Sequence, residues 1–208
     1  MRLFLASGNR HKQKEMQEIF PEYEILIPAD AGIDFDPDET GTTFYENSLI
    51  KARALWNLVH EPVIADDSGI CVRALKNAPG IYSGRYAGPD YMQGKPDGSK
   101  ISQEEQNRFL IQQLNDTGSS DRSCFYACAM VLLLNDEKFF VAQETFEGQL
   151  IDDISKQAGN GGFGYDPIVY LPEYKKTIAE ISADEKNAIS HRGKAAKAIA
   201  AILKTIKK

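Results

Sequence analysis

Residues 63–70 read Val-Ile-Ala-Asp-Asp-Ser-Gly-Ile (VIADDSGI), and this stretch decides the fold class. Val63, Ile64 and Ala65 are apolar at consecutive positions, so a strand here must be covered on both faces. Such a strand belongs in the middle of a sheet. Residues 62–66 (PVIAD) therefore predict a central strand that ends at Asp66, with Gly69 letting the chain turn away.

The flanks agree. RLFLA (residues 2–6) is a short apolar run and predicts a first strand. HKQKEMQEIF (11–20) predicts a helix with Met16, Ile19 and Phe20 on one face, and YEILIP (23–28) a second strand. After the acidic loop DFDPDETG (34–41), a long helix starts at Thr43, with Phe44, Ser48, Ala52, Leu55, Trp56 and Val59 on one stripe. Strand and helix alternate from residue 1 to 66, the signature of an α/β fold. Downstream, GPDYMQGKPDGSK (88–100) is a loop, and Ser102 with Glu105 caps a helix running to about Leu114. SCFYACAMVLLL (123–134) and KFFVAQETFEG (138–148) flank Asn135-Asp136-Glu137 as a long hairpin, and a last helix starts at Ser190.

The 208 residues suit one domain, 1–208, or two intimately packed lobes. The net charge of −6 argues against broad binding to nucleic acid and leaves room for a local basic pocket. No apolar run is long enough to span a membrane, and the start, MRLFLASGNRHK, is not a signal peptide. Cys71, Cys124 and Cys128 are odd in number, lack a zinc spacing and sit in apolar contexts, which predicts reduced core thiols of a cytoplasmic protein.

Four segments carry candidate chemistry. SGNRHK (7–12) joins a strand to a helix start, where free N–H groups and a partial positive charge favour anions. Arg10 and Lys12 are unfavourable in a first helical turn, and an anionic ligand would give them a purpose; the alternative is an ordinary turn capped by Asn9. Asp34, Asp36, Asp38, Glu39, Glu46, Asp66 and Asp67 form an acidic set of the kind hard cations such as Mg²⁺ prefer. Side chains alternate along a strand, so one of Asp66 and Asp67 can ligate metal while the other fixes the loop; a turn held by side chain-to-backbone bonds is the other reading. GNGGFGYDP (159–167) places Phe163 and Tyr165, which can stack on a base, among four glycines, with Asp166 as acceptor; a glycine-rich turn with buried aromatics is the alternative. In DEKNAISHRGKAA, a helix capped by Ser190 puts His191 and Arg192 in its first turn and Lys186 in the approaching loop.

Taken in order, SGNRHK, TGTTFYENSLIKA, IADDSGI, APGIYSGRYAG, GGFGYDPI and EKNAISHRGKA resemble the inosine triphosphate pyrophosphatase family, pyrophosphatases that remove non-standard purine nucleotides, over nearly the whole chain. The resemblance implies an elongated α/β fold of two lobes around a long mixed sheet, with the active site in the cleft between them, and a homodimer. It implies attack of water on the α-phosphorus of dITP, ITP or XTP, releasing the monophosphate and pyrophosphate. By the same resemblance Ser7, Gly8, Asn9, Arg10, His11 and Lys12 cradle the triphosphate, and Lys51 faces phosphate. Asp67 is the catalytic carboxylate and a Mg²⁺ ligand, Glu39 (or Asp38) the second ligand, and Ser68 touches substrate. Phe163, Gly164, Tyr165, Asp166, Lys186, His191 and Arg192 match the base-recognition positions. Ser48, where alanine is common, reads as harmless. A Maf-like pyrophosphatase of modified pyrimidine nucleotides, a non-catalytic nucleotide sensor and a nucleic-acid-binding module are the competing readings.

Overall fold

The alternation of strand and helix is present in the computed structural model, which describes residues 2–206. Five α-helices accompany one mixed sheet among the described residues. The strands are β1 (Arg2–Leu5), β2 (Glu24–Leu26), β3 (Val63–Val72), β4 (Ala78–Pro79), β5 (Ser123–Leu133), β6 (Phe139–Leu150), β7 (Val169–Leu171) and β8 (Lys176–Thr177). Their order is β2-β1-β3-β5-β6-β7-β8, with β4 paired to β3. β1 runs parallel to β2 and β3, while β7 is antiparallel to β6 and β8, which makes the sheet mixed. The helices are α1 (Arg10–Ile19), α2 (Phe44–Val59), α3 (Gln103–Asp116), α4 (Ala183–Ile189) and α5 (His191–Ile206).

β3 is central, between β1 and β5, as its sequence predicts. It does not end at Asp66. It runs on to Val72, and nine of its ten residues are buried, both aspartates included. Gly69 does not turn the chain away; it makes room. A Cβ there would lie 2.3 Å from the Gly80 carbonyl oxygen and 2.4 Å from Ser83 Oγ. The Ser83 hydroxyl uses that room to accept from the Ile70 N–H at 2.9 Å.

The chain divides into two units. The first comprises Met1–Asp67, Cys128–Glu144 and Ser190–Lys208; the second comprises Ser68–Ala127 and Thr145–Ile189. In the first unit the sheet has two differently covered faces. Leu3, Leu5, Ile64, Met130 and Leu132 pack with Met16 of α1 and with Ala195, Ile199 and Leu203 of α5. Phe4, Ala6, Val63, Ala65, Val131 and Leu133 pack with Ala52 and Leu55 of α2. The even and odd positions of β3 thus look at different helices, as period-two alternation requires. In the second unit a single core joins Ile70, Val72, Cys124 and Tyr126 to Leu110, Ile111 and Leu114 of α3. The three cysteines are free and buried. Among the described residues no helix is long and apolar enough to cross a membrane.

α4 departs from the sequence reading, which leaves Lys186 in a loop. Ser182 and Glu185 exchange bonds across the helix start: the Glu185 carboxylate accepts from the Ser182 N–H and hydroxyl, and Ser182 Oγ accepts from the Glu185 N–H. This Ser-x-x-Glu capping box starts a short helix that includes Lys186. α5 begins as expected, with Ser190 Oγ accepting from the Gly193 N–H.

Candidate active site

The two faces of β3 decide where its adjacent carboxylates go. Asp66 continues the face of Ile64, toward α1 and α5. Lys12 Nζ of α1 lies 3.1 Å from each of its oxygens, and Arg192 Nε of α5 is 3.1 Å from Oδ2. Arg192 Nη1 donates to Glu15 Oε2 at 3.0 Å. Asp67 continues the face of Ala65, toward α2. Lys51 Nζ donates to Asp67 Oδ1 at 3.0 Å and to Glu39 Oε1 at 2.8 Å, and Asn47 Nδ2 donates to Asp67 Oδ2 at 3.3 Å. A one-residue step along a strand therefore separates two charge networks.

Their electrostatics differ accordingly. Burial would raise the Asp66 carboxyl, but the charges of Lys12, Arg192 and Lys51 outweigh it and hold the group well below the usual carboxylate range. Burial also acts on Asp67, and there it wins: Lys51 pulls the carboxyl down, Glu39 opposes it, and the net shift is upward. Lys51 is itself lowered by burial, but Asp67, Asp66 and Glu39 together raise it. The lysine faces three carboxylates and keeps its proton, while Asp67 becomes a stronger base than an exposed aspartate.

The acidic loop sorts itself by alternation. Asp34, Asp36 and Asp38 are exposed, while Phe35 and Glu39 are half-buried. Glu39 thus turns toward Lys51, and Asp38 faces outward. Glu46 belongs to the start of α2, where it accepts from the Thr42 and Thr43 N–H groups and Thr43 Oγ1 caps it in return. Ser48, in an apolar stripe, donates its hydroxyl to the Ala65 carbonyl at 2.9 Å.

The segment from Ser7 to Lys12 is built as an N-cap. Asn9 Oδ1 accepts from the His11 N–H at 2.8 Å and the Lys12 N–H at 3.3 Å, and Ser7 Oγ accepts from the Asn9 N–H. The cations of this first turn have internal counter-ions: Arg10 pairs with Asp30 at 2.6 Å and Lys12 with Asp66. Gly8 and His11 are exposed, and a Cβ at Gly8 would meet no protein atom within 4 Å. Gly8 therefore has no packing reason to be glycine, and a closely approaching ligand would supply one.

In the second unit, Asp166 organises the glycine-rich turn. Its Oδ2 accepts from the Phe163 N–H and from Lys186 Nζ, both at 2.9 Å. The Lys186 ammonium also stands 4.7 Å from the centre of the half-buried Phe163 ring, a cation–π distance. Gly162, at φ +70°, is obligatory here, because a Cβ would fall 2.1 Å from Asp166 Oδ2. Gly164 and Ser68 are half-buried. Tyr165 does not offer its ring: it is 4% exposed, part of the core, and its hydroxyl donates to the Ser83 carbonyl at 2.9 Å. His191 and Arg192 are both buried at the start of α5.

Sequence reasoning misses Asn47 and Glu15. Asn47 stands four residues before Lys51 on the buried side of α2, and that i, i+4 polar pair beside an apolar stripe is the signal that finds it. Glu15 carries no such signal, since its partner Arg192 is 177 residues away.

A sequence model of the Ham1 family matches residues 3–202. A Treponema denticola protein named dITP/XTP pyrophosphatase is 46% identical over 204 residues, covering 98% of this chain and 99% of the relative. One of the same name from Clostridium perfringens is 40% identical over 215 residues, covering 100% and 99%. Two solved structures are similar, each over 99% of both chains: the Staphylococcus aureus Ham1 protein (36% identity, TM-score 0.82) and a HAM1 protein from Coxiella burnetii (35%, 0.85).

Proposed function

The chain belongs to the Ham1 family, and from that premise we propose that it is a nucleoside triphosphate pyrophosphatase that hydrolyses dITP, XTP and ITP to the monophosphate and pyrophosphate. The relatives named dITP/XTP pyrophosphatase support the activity. The observation that carries it within the molecule is Asp67, a buried carboxylate drawn toward basicity with Glu39 converging on the same lysine.

Asp67 accepts a proton from the attacking water as the water oxygen bonds to the α-phosphorus. The bond from that phosphorus to the bridging oxygen then breaks, and pyrophosphate leaves. Lys51, held charged by three carboxylates, and Lys12, at the start of α1, carry the negative charge of the polyphosphate. Asn47 fixes the second oxygen of Asp67 and so its orientation.

Magnesium fits this site. Glu39 and Asp67 present hard oxygens around one ammonium, and Mg²⁺ takes one or two carboxylates with water and phosphate oxygens for the rest. When bound, Mg²⁺ supplies positive charge and Lewis acidity to the phosphate oxygens.

The residues that match base-recognition positions are, in the second unit, Phe163 with Lys186 and Asp166. In the first unit they are the buried donors His191 and Arg192. Hypoxanthine and xanthine present a 6-oxo acceptor where adenine presents an amino donor. A buried donor facing that group leaves adenine unpaired, and such mismatches support rejection by about 10⁴-fold. The reading includes a cytoplasmic homodimer; the three buried free thiols support a reducing compartment.

The experiment is hydrolysis of ITP, XTP, dITP, ATP and GTP, following pyrophosphate with and without Mg²⁺. The expected result is pyrophosphate from the first three, abolished by a chelator and restored by Mg²⁺. Equal turnover of ATP and ITP, or release of single phosphates, would sink the reading.

A further inference from the structure

Asp66 has no task in the reaction above, although it is a deeply buried charge of the first unit. The side chains of Asp66 and Arg192 are 0% and 5% exposed, whereas Lys12 keeps 16%. One oxygen, Oδ2, lies 3.1 Å from both Lys12 Nζ and Arg192 Nε. Glu15, one turn along α1 from Lys12, holds the other side of the guanidinium. Two cations and two anions make the set neutral. A buried carboxylate is costly unless paired, so Asp66 needs these partners.

The same two cations are assigned to different parts of the nucleotide, Lys12 to phosphate and Arg192 to the purine, although both bond one carboxylate oxygen. A polyphosphate competes with Asp66 for the Lys12 ammonium, the more exposed of the two. Each contact that Lys12 transfers to phosphate leaves Asp66 more fully to Arg192, which tightens the guanidinium between Asp66 and Glu15. We propose that Asp66 is a positioning residue that couples phosphate binding at Lys12 to purine discrimination at Arg192. Polyphosphate at Lys12 would then sharpen base selection at Arg192. This inference rests on the nucleoside triphosphate reading and deepens it.

The test uses binding alone, so it is decided even if turnover fails. Calorimetry measures the affinities for IMP and AMP, with and without saturating inorganic pyrophosphate. In the wild type, pyrophosphate is expected to raise the IMP-over-AMP preference by about fivefold or more, the lower end of ordinary coupling between sites. Asp66→Asn keeps the shape, removes the charge and is expected to abolish the sharpening. A wild type whose preference ignores pyrophosphate overturns the proposal. So does an Asp66→Asn protein that sharpens as the wild type does, whatever its unfolding midpoint, because a merely structural role moves the midpoint and leaves the coupling. Should Asp66→Asn not fold, Arg192→Lys keeps the charge and loses the Nε contact; retained sharpening there overturns the proposal equally. Absence of ITP cleavage by the wild type would instead count against the function reading, and the binding arms would stand apart from it.

Discussion

In the first unit the candidate site is made of charged side chains brought from far apart: Lys12, Glu39, Lys51, Asp66, Asp67 and Arg192 come from three helices, a loop and a strand. In the second unit the candidate base site is made mostly of backbone. Asp166, Phe163 and the glycines around them lie within one short turn, and Lys186 comes to them from α4. The first kind of site is stabilised by charge compensation and lost when a charge is removed. The second is stabilised by close approach and lost when an atom is added.

Asp67→Asn tests the first kind most severely. It removes the proposed proton acceptor and leaves the shape, so turnover is expected to fall by about 10³-fold, within the range for general-base catalysis. The unfolding midpoint, followed by calorimetry, should move by only a few degrees. Near wild-type turnover would mean that the adjacent network, not this one, does the chemistry.

Gly162→Ala tests the second kind. The added methyl requires Asp166 to leave its bonds to Phe163 and Lys186, in a backbone conformation that already disfavours a side chain. Denaturant unfolding should show a loss of about 2 kcal/mol, as for other overpacked sites. Gly164→Ala is the matched control: its φ is similarly positive at +65°, but the new Cβ meets nothing within 4 Å, so only strain of about 1 kcal/mol is expected. Equal losses would show that backbone strain, not the carboxylate, fixes the turn.

The smallest effect sharpens the contrast between buried acids with and without cationic partners. Asp66 is held down by its cations, whereas burial pushes Cys71 up to about 11 and Cys124 and Cys128 up to about 12, from an ordinary 9.0. Those thiols stay neutral in the folded chain while the unfolded chain ionises. The stability they contribute is intact below about pH 9 and is lost as pH rises toward 11–12, by about 1 kcal/mol per thiol near pH 10. Urea midpoints measured from pH 7 to 10 should fall accordingly. Each Cys→Ser substitution, measured against its own pH 7 value, should remove about 1 kcal/mol of the loss at pH 10.

The fold class was legible because it rests on local patterns. The apolar run at 63–65, the capping pair Ser102 and Glu105, and Ser190 before the last helix each specify structure within a few residues. The reach of β3 was not legible. Two adjacent charges read as a strand end because their partners lie 54 and 126 residues away for Asp66 and 16 for Asp67. Nothing local announces that a carboxylate will be compensated. The short helix holding Lys186 was missed, although Ser182 and Glu185 spell a capping box, because seven residues are too few to show a periodic stripe. Tyr165 shows the opposite limit: among glycines it reads as a stacking ring, and only its bond to Ser83, 82 residues back, makes it core.

The chain passes between the two units four times, at residues 67/68, 127/128, 144/145 and 189/190, and three of those passages fall inside β3, β5 and β6. Neither unit is therefore a continuous stretch of gene. No single truncation can isolate the charge-built site from the glycine-built one. A protease cut in the exposed turns near Lys95 would leave β3 on one fragment and β5, its sheet neighbour, on the other. The nicked protein should stay whole by its own hydrogen bonds, as two complementary halves that hold their shape together and neither alone.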